Sequence, residues 1–331
     1  MTPRSHGGPD EGGVPLHDFS SNSNACGPCP QALAAVQEAD ATCYPDAAYT
    51  LLRAQLADFH GVSVSRIVLA GSASEFIFRI TALAVQRGAR AVWLPPHAYG
   101  DYAQAAQAWK LPLLARAEQT QLRWACDPSS PIGAAHAGLD QLAGGGAVCV
   151  LDRAYEPLRL SGVLALPDSA LQEFWQLWTP NKALGLTGVR AAYVIAPAGT
   201  EERVAQLEGL APSWPVGTHG VAMLQAWTRP EVQTWLANSL ATLRDWKARQ
   251  VALCESLGWT CLPSAANFFC ARPALPASLS LEQALSALRA GGIKLRDATS
   301  FGLPGQVRLS VMPPAAQDAL HNAWQHLDKA P

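Results

Sequence analysis

"SRIVLAGSASEFIFRITALAVQRG", residues 65–88, changes its periodicity in the middle. The continuous apolar run at its start has strand length, and the stretch after "GSAS" repeats its apolar residues at helical spacing. The small residues between them mark a turn. "RAVWLPPHAYGDYAQAAQAWK", residues 90–110, repeats the same order of apolar strand, turn and helix. "GGAVCVLDRAY" (145–155), "FWQLWTPNKALGLTGVR" (174–190) and "AAYVIAP" (191–197) follow as short apolar runs that end in polar residues. Strands alternating with helices predict an α/β unit built on a mainly parallel sheet, with chemistry just beyond the C-terminal strand ends. Upstream, "PQALAAVQEA" (30–39) reads as a short helix, and "YTLLRAQLADFHG" (49–61) as an amphipathic helix closed by Gly61. Residues 217–257 read as one or two long helices, with Trp227, Trp235, Leu243 and Trp246 as core candidates. Residues 264–327 read β-α-β-β-α, a smaller α+β unit.

Composition narrows the function. With 331 residues, 49% of them hydrophobic and 15% charged, the chain can bury a large core, and about two domains are expected. A net charge of −2 argues against a general nucleic-acid or anionic-membrane surface. The polar, Gly-rich start lacks the apolar core of a secretory signal, and no apolar run reaches the ~20 residues of a membrane span. The eight cysteines have no framework or zinc-site spacing, so a reduced, cytoplasmic setting and no metal are expected. Cys26 and Cys29 spell the Cys-Gly-Pro-Cys of a thioredoxin-type dithiol, but they follow a polar stretch instead of a strand.

Three strand ends carry candidate chemistry. Lys182 sits among small polar residues, with Arg190 eight positions later. Asp152 ends a near-continuous apolar strand, where a carboxylate is costly without a cationic partner. Ser72, Ala73 and Ser74 open a helix, so backbone N–H groups and hydroxyls there can hold a phosphate. A phosphate cradle, a buried carboxylate and a strand-end lysine are three of the parts that hold pyridoxal 5′-phosphate.

"TPNKALGLTGVRAAY" (179–193) resembles the cofactor-lysine segment of fold-type I aminotransferases, in the branch containing histidinol-phosphate aminotransferase. "YPDAAYTLLRAQLADFHGV" (44–62) resembles that branch's Y-P-D segment, and "DRAY" (152–155) its D-E-A-Y. The likeness runs in order from about residue 17 to 312. It implies an aspartate aminotransferase-like, PLP-dependent transferase fold, with a mixed, mainly parallel sheet in a large domain and a smaller α+β domain. The implied division is an N-terminal segment (1–30) near the active site and small domain, a cofactor-binding domain (31–235) and a C-terminal domain (236–331). The ends of the chain are similar to one member of the branch, the L-threonine O-3-phosphate decarboxylases of cobalamin synthesis, which yield aminopropanol phosphate. "SHGG" (5–8), "HDFSSNSNACGPCP" (17–30), "APSWPVGTHGVAML" (211–224) and "IKLRDATSFGLPGQVRLSV" (293–311) carry that likeness. Decarboxylation is therefore the preferred expectation, amino transfer of the histidinol-phosphate type the alternative. A dithiol oxidoreductase and a non-catalytic cofactor-binding module are the readings from other classes.

By this resemblance Lys182 carries the cofactor covalently and moves substrate protons. Asp152 pairs with the ring nitrogen, Tyr155 donates to the ring's phenolic oxygen, and Tyr99 stacks on the ring. Arg190, Thr179, Asn181, Ser72, Ala73 and Ser74 hold the phosphate. Tyr44 reaches the neighbouring subunit's phosphate, which implies a homodimer. Arg308 and Arg296 bind substrate anions, with His6 and Asn24 near the substrate; two arginines suit a doubly anionic amino-acid phosphate. Asn267 is open between orienting Arg308 and capping a strand. His97, His60 and His136 are expected to be structural or solvated. The chain departs from the branch at "DPSSPIG" (127–133), where the usual asparagine on the phenolic oxygen is Ser130, and at Arg153 within "DRAY".

Overall fold

The computed structural model describes residues 7–276 and 278–327. Its strands are β1 (His17–Asp18), β2 (Ile67–Ala70), β3 (Val92–Trp93), β4 (Leu122–Cys126), β5 (Val148–Asp152), β6 (Trp175–Trp178), β7 (Ala192–Ile195), β8 (Thr260–Cys261), β9 (Phe268–Arg272), β10 (Ile293–Lys294), β11 (Arg296–Asp297) and β12 (Val307–Ser310). The helices are α1 (Pro30–Gln37), α2 (Thr50–His60), α3 (Ala73–Gln86), α4 (Gly100–Ala108), α5 (Asp168–Leu171), α6 (Glu201–Gly209), α7 (Thr218–Trp227), α8 (Pro230–Ser256), α9 (Leu281–Ala290) and α10 (Pro314–Leu327).

Six strands form the central sheet in the order β2-β7-β6-β5-β4-β3. The pairs from β3 to β6 are parallel, and β7 runs antiparallel to both of its neighbours, β2 and β6. The fold is thus α/β with a mixed, mainly parallel sheet, as expected. The short apolar strands are buried on both faces, and their alternation decides what each face carries. Val68 and Ala70 of β2 point into a core with Phe76, Ile80 and Leu83 of α3 and Tyr102 of α4. Ile67 and Leu69 point the other way, into a core with Leu52 and Leu56 of α2 and Leu224 and Trp227 of α7. Full burial of each large apolar side chain is worth about 1.5–3 kcal/mol, so α3 alone ties its N-terminus firmly to the sheet. Ser72 caps α3, its Oγ accepting the Glu75 N–H at 3.1 Å. Gly61 ends α2 in the left-handed conformation, at φ 61°.

The second face also holds a hydrogen-bonded chain. Trp227 Nε1 donates to the Tyr193 hydroxyl at 3.0 Å, and that hydroxyl lies 2.8 Å from His60 Nε2. An indole can only donate, so the Tyr193 oxygen accepts from Trp227 and shares its second hydrogen bond with His60 Nε2. Burial lowers the His60 pKa to about 4, so the ring is neutral at physiological pH.

Beyond α8 a four-stranded sheet runs β11-β12-β9-β8, antiparallel throughout, with α9 and α10 packed against it. The N-terminal strand joins this end of the molecule: β1 pairs in parallel with β10, and Phe19 exchanges backbone bonds with Lys294 and Ser310. Residues 217–257 resolve into two helices, α7 and α8. Trp227 and Leu243 are in the core, and Trp235 and Trp246 pack against it half-buried.

Candidate active site

The C-terminal ends of β4, β5 and β6 and the N-terminus of α3 meet around one cavity of about 190 Å³. Eleven sequence-predicted positions line it: Ser72, Ala73, Ser74, Tyr99, Ser130, Asp152, Tyr155, Thr179, Asn181, Lys182 and Arg190. Sequence separations of more than a hundred residues close here because parallel strands bring their ends to one edge of the sheet.

Asp152 closes β5 and is buried. Its Oδ1 accepts the Ala154 N–H at 2.9 Å, and its Oδ2 accepts the Tyr102 hydroxyl at 2.6 Å. Burial raises its pKa, while those two donors and the nearby Lys182 charge pull it back. A buried carboxylate held this way is suited to a cation placed beside it. Tyr99 opens α4 with its hydroxyl 3.4 Å from Ser74 Oγ, and burial pushes its pKa up to about 12. The Tyr155 hydroxyl accepts a hydrogen bond from Asn22 Nδ2 at 3.1 Å, and Lys182 Nζ lies 5.4 Å from the centre of the Tyr155 ring.

Lys182 rides on a loop stitched to the N-terminal segment. Asn24 N–H donates to the Lys182 carbonyl at 2.9 Å, and Cys29 N–H donates to the Leu184 carbonyl at 2.8 Å. Gly185 has φ 70°, and a Cβ there would meet Pro28 Cα at 3.0 Å. Glycine lets the loop both take the left-handed conformation and accept the N-terminal turn against it. "NACGPCP" is therefore the brace behind Lys182. Cys26 Sγ lies 3.7 Å from the Ser239 carbonyl and Cys29 Sγ 3.4 Å from Gln31 Oε1, and burial raises both thiols. A reactive dithiol needs the opposite shift.

Asn24 belongs to the same brace. It is buried, outside the cavity lining, with Nδ2 bonded to the Ala183 carbonyl at 3.0 Å and Ser239 Oγ at 2.8 Å, and Oδ1 accepting the Cys26 N–H at 3.0 Å. Every polar atom of the Asn24 amide is engaged by protein, and the side chain serves the brace. Asn22, two residues earlier, is the one that reaches the cavity wall through Tyr155. Asn267 Nδ2 donates to the Asn22 and Ser23 carbonyls, so its amide fastens this segment, with no bond to Arg308.

Arg296 and Arg308 are directly opposed in the β11/β12 register. Both guanidinium groups lie over the Phe301 ring, at 4.9 and 5.4 Å from its centre. Arg296 also donates to Ser300 Oγ at 2.7 Å, and Arg308 to the Ser20 carbonyl at 3.0 Å. Burial lowers both pKa values, and the Arg308 charge adds to the effect on Arg296. The His97 ring Nδ1 lies 2.8 Å from the Phe301 carbonyl, joining this pair to the loop that carries Tyr99. Arg308 Nε is buried with no partner among the described residues. Two cations this close, one with unused donor capacity, have the chemistry to bind an anion.

Around Ser130 the chain has its own solution. Ser130 is buried in the cavity wall. The segment bearing it is held by a buried ion network: the Arg159 guanidinium bonds Asp127 at its base and Glu156 Oε2 at 2.6 Å. Stripping one partner from such a network leaves an uncompensated buried charge, a cost of typically about 3–5 kcal/mol. Arg153 of "DRAY" faces away from the cavity, its guanidinium 4.3 Å over the Trp178 ring and bonded to Gln176 Oε1 at 2.9 Å. Tyr44 does not line the cavity of its own chain. It is 78% exposed and stacks on Trp214 with ring centres 4.5 Å apart. His6 lies outside the described residues.

The residues present fit pyridoxal 5′-phosphate. At one end, Thr179 Oγ1 is buried without a partner, and the Ala73 and Ser74 N–H groups and the Arg190 guanidinium make no bonds among the described residues. That is a donor set matched to a phosphate. Asp152 at another wall awaits a cation, and Tyr99 supplies an aromatic face. Fold and cavity together define a fold-type I pyridoxal-phosphate enzyme.

The family follows from comparison with known proteins. The sequence pattern described as aminotransferase class I and II matches residues 14–128 and 117–327, and the chain belongs to that family. A histidinol-phosphate aminotransferase of Jannaschia sp. is 27% identical over 88% of this chain and 86% of its own length. That of Brevibacillus brevis is 26% identical over 88% and 85%. Among solved structures, histidinol-phosphate aminotransferase from Sinorhizobium meliloti, in complex with pyridoxal-5′-phosphate, superposes with a TM-score of 0.82 at 21% identity, covering 96% of this chain and 92% of that one. L-threonine-O-3-phosphate decarboxylase from Porphyromonas gingivalis superposes at 0.78 with 19% identity, covering 95% and 100%.

Proposed function

We propose that this chain is an aminotransferase that takes the amino group from a phosphorylated amino compound of the histidinol-phosphate type and passes it to a 2-oxo acid. The observation that carries the reading is a single cavity walled by Lys182, Asp152 and the free phosphate donors, with two arginines on the adjoining β11/β12 edge. When bound, the cofactor supplies an electron sink conjugated to the substrate nitrogen. Lys182 Nζ is the group that would take the proton from the substrate α-carbon and deliver it to the cofactor's aldehyde carbon. Asp152 keeps a proton on the ring nitrogen, and Tyr155, itself oriented by Asn22, donates at the ring's phenolic oxygen. Ser130 covers that oxygen from the other wall. Arg296 and Arg308 hold the anionic end of substrate and oxo acid, and thereby select which α-carbon bond stands perpendicular to the ring. The curated relatives at 26–27% identity act by amino transfer, which favours this reading over the decarboxylation preferred from the terminal motifs.

Decarboxylation of L-threonine O-phosphate is retained as the second reading, because the two adjacent arginines also suit a substrate with both a carboxylate and a phosphate. Either way the enzyme is read as a homodimer on the family likeness at Tyr44, and the exposure of that residue is compatible with its serving a neighbouring site. Eight free cysteines suit a reducing cytoplasm.

Incubation with L-histidinol phosphate and 2-oxoglutarate, against L-threonine O-phosphate with no oxo acid, separates the readings. Glutamate formed only when both reactants are present is the expected result. Aminopropanol phosphate released without any oxo acid would replace it by the second reading, and no product from either mixture would overturn both.

A further inference from the structure

The strongest side-chain hold on Asp152 comes from a residue that the likeness to known families did not single out. Tyr102 belongs to α4, fifty positions before Asp152, and donates its hydroxyl proton to Asp152 Oδ2 at 2.6 Å. Its ring is 1% exposed, lies flat on Trp124 with centres 4.3 Å apart and planes 14° apart, and meets the edge of Tyr99 at 5.8 Å. Clamped in this way, the ring holds its hydroxyl against Asp152 at the cavity wall. The Ala154 N–H occupies Oδ1 from the opposite side. Cys126, paired with Asp152 in the β4/β5 register, lies beside the Tyr102 hydroxyl and turns its thiol proton to the Pro128 carbonyl at 3.2 Å.

We propose that Tyr102 is the positioning residue that aims Asp152 at the cofactor's ring nitrogen and keeps it a carboxylate there; this rests on the reading of Asp152 as that nitrogen's partner. The chemistry favours a neutral donor. A lysine or arginine at this place would pair with Asp152 and screen it from the protonated ring. A phenylalanine would leave a buried carboxylate one donor short. A tyrosine stabilises the anion while leaving its charge available.

Apoprotein of the native chain and of Tyr102→Phe is titrated with pyridoxal 5′-phosphate and with its analogue carrying CH in place of the ring nitrogen. The native protein is expected to prefer the authentic cofactor. In Tyr102→Phe that affinity should fall about tenfold or more, while affinity for the CH analogue changes less than about twofold. Because both ligands are measured on the same variant, a general loss of folded protein lowers both and cancels from the preference. Equal losses for the two ligands, or no loss for either, would show that Tyr102 acts through packing alone and overturn the proposal. If the native protein itself shows no preference, the assignment of Asp152 to the ring nitrogen fails first. If the native preference survives unchanged in Tyr102→Phe, only the role of Tyr102 fails.

Discussion

Lys182→Ala lowers turnover by about 10⁴-fold or more, while the protein still folds and still takes up the cofactor reversibly. Both halves of this expectation come from the loop. Its conformation is set by backbone bonds, Asn24 to the Lys182 carbonyl, Cys29 to the Leu184 carbonyl and Leu186 to the Asn181 carbonyl, and none of them uses the lysine side chain. Lys182 itself is only half-buried, so its truncation opens no core cavity. The phosphate donors at Ser72, Ala73, Ser74, Thr179, Asn181 and Arg190 are untouched. What disappears is the one amine placed to hold the cofactor covalently and to move the α-proton. Steady-state rates beside the cofactor absorbance of dialysed protein check both halves: bound cofactor should now dialyse away, and the melting temperature should be nearly unchanged. A variant that kept even a hundredth of the rate would remove Lys182 from the proton transfer.

Asp152→Asn is expected to cost about 10²–10³-fold in kcat with a much smaller change in KM. Asparagine preserves the shape of the side chain; its Oδ1 can still accept the Ala154 N–H while its Nδ2 donates to a reoriented Tyr102 hydroxyl, so the wall of the cavity survives. It cannot supply the negative charge that stabilises a proton on the ring nitrogen, and that charge matters most where electrons flow into the ring. Comparing kcat and KM of the variant with those of the native enzyme is the check. A loss confined to KM would mean that Asp152 only shapes the pocket.

Much of this site was legible in the residue order. Strand ends in a parallel sheet converge, so Asp152 and Lys182 could be assigned to one edge from periodicity, the small residues after β2 marked the phosphate cradle, and Thr179 followed from the family resemblance. The contacts that aim these groups were not legible. Tyr102 and Asp152 are 50 positions apart, Asn22 and Tyr155 are 133, and no spacing rule connects such pairs. Asn24 was expected at the substrate because its motif lies nearby, yet its amide is spent on Ala183, Ser239 and Cys26; Asn22, in the same quoted motif, is the one that bonds Tyr155. The Asp127–Arg159 pair is hidden for the same reason: either residue alone reads as a surface charge. His97 was taken as structural or solvated, and its bond to the Phe301 carbonyl ties the stacking loop to the arginine pair. The Cys-Gly-Pro-Cys spelling shows the converse. A familiar string there serves backbone packing, because glycine and proline shape a turn against Gly185 whatever the thiols could do elsewhere.

Borohydride reduction of the cofactor-loaded protein, followed by peptide mapping, tests the covalent anchor itself. One pyridoxyl group per chain on the peptide containing Lys182 is the expected outcome. A stable adduct on Lys110, Lys247 or Lys294 instead, or none on fully loaded protein, would contradict the placement of the chemistry at the ends of β5 and β6.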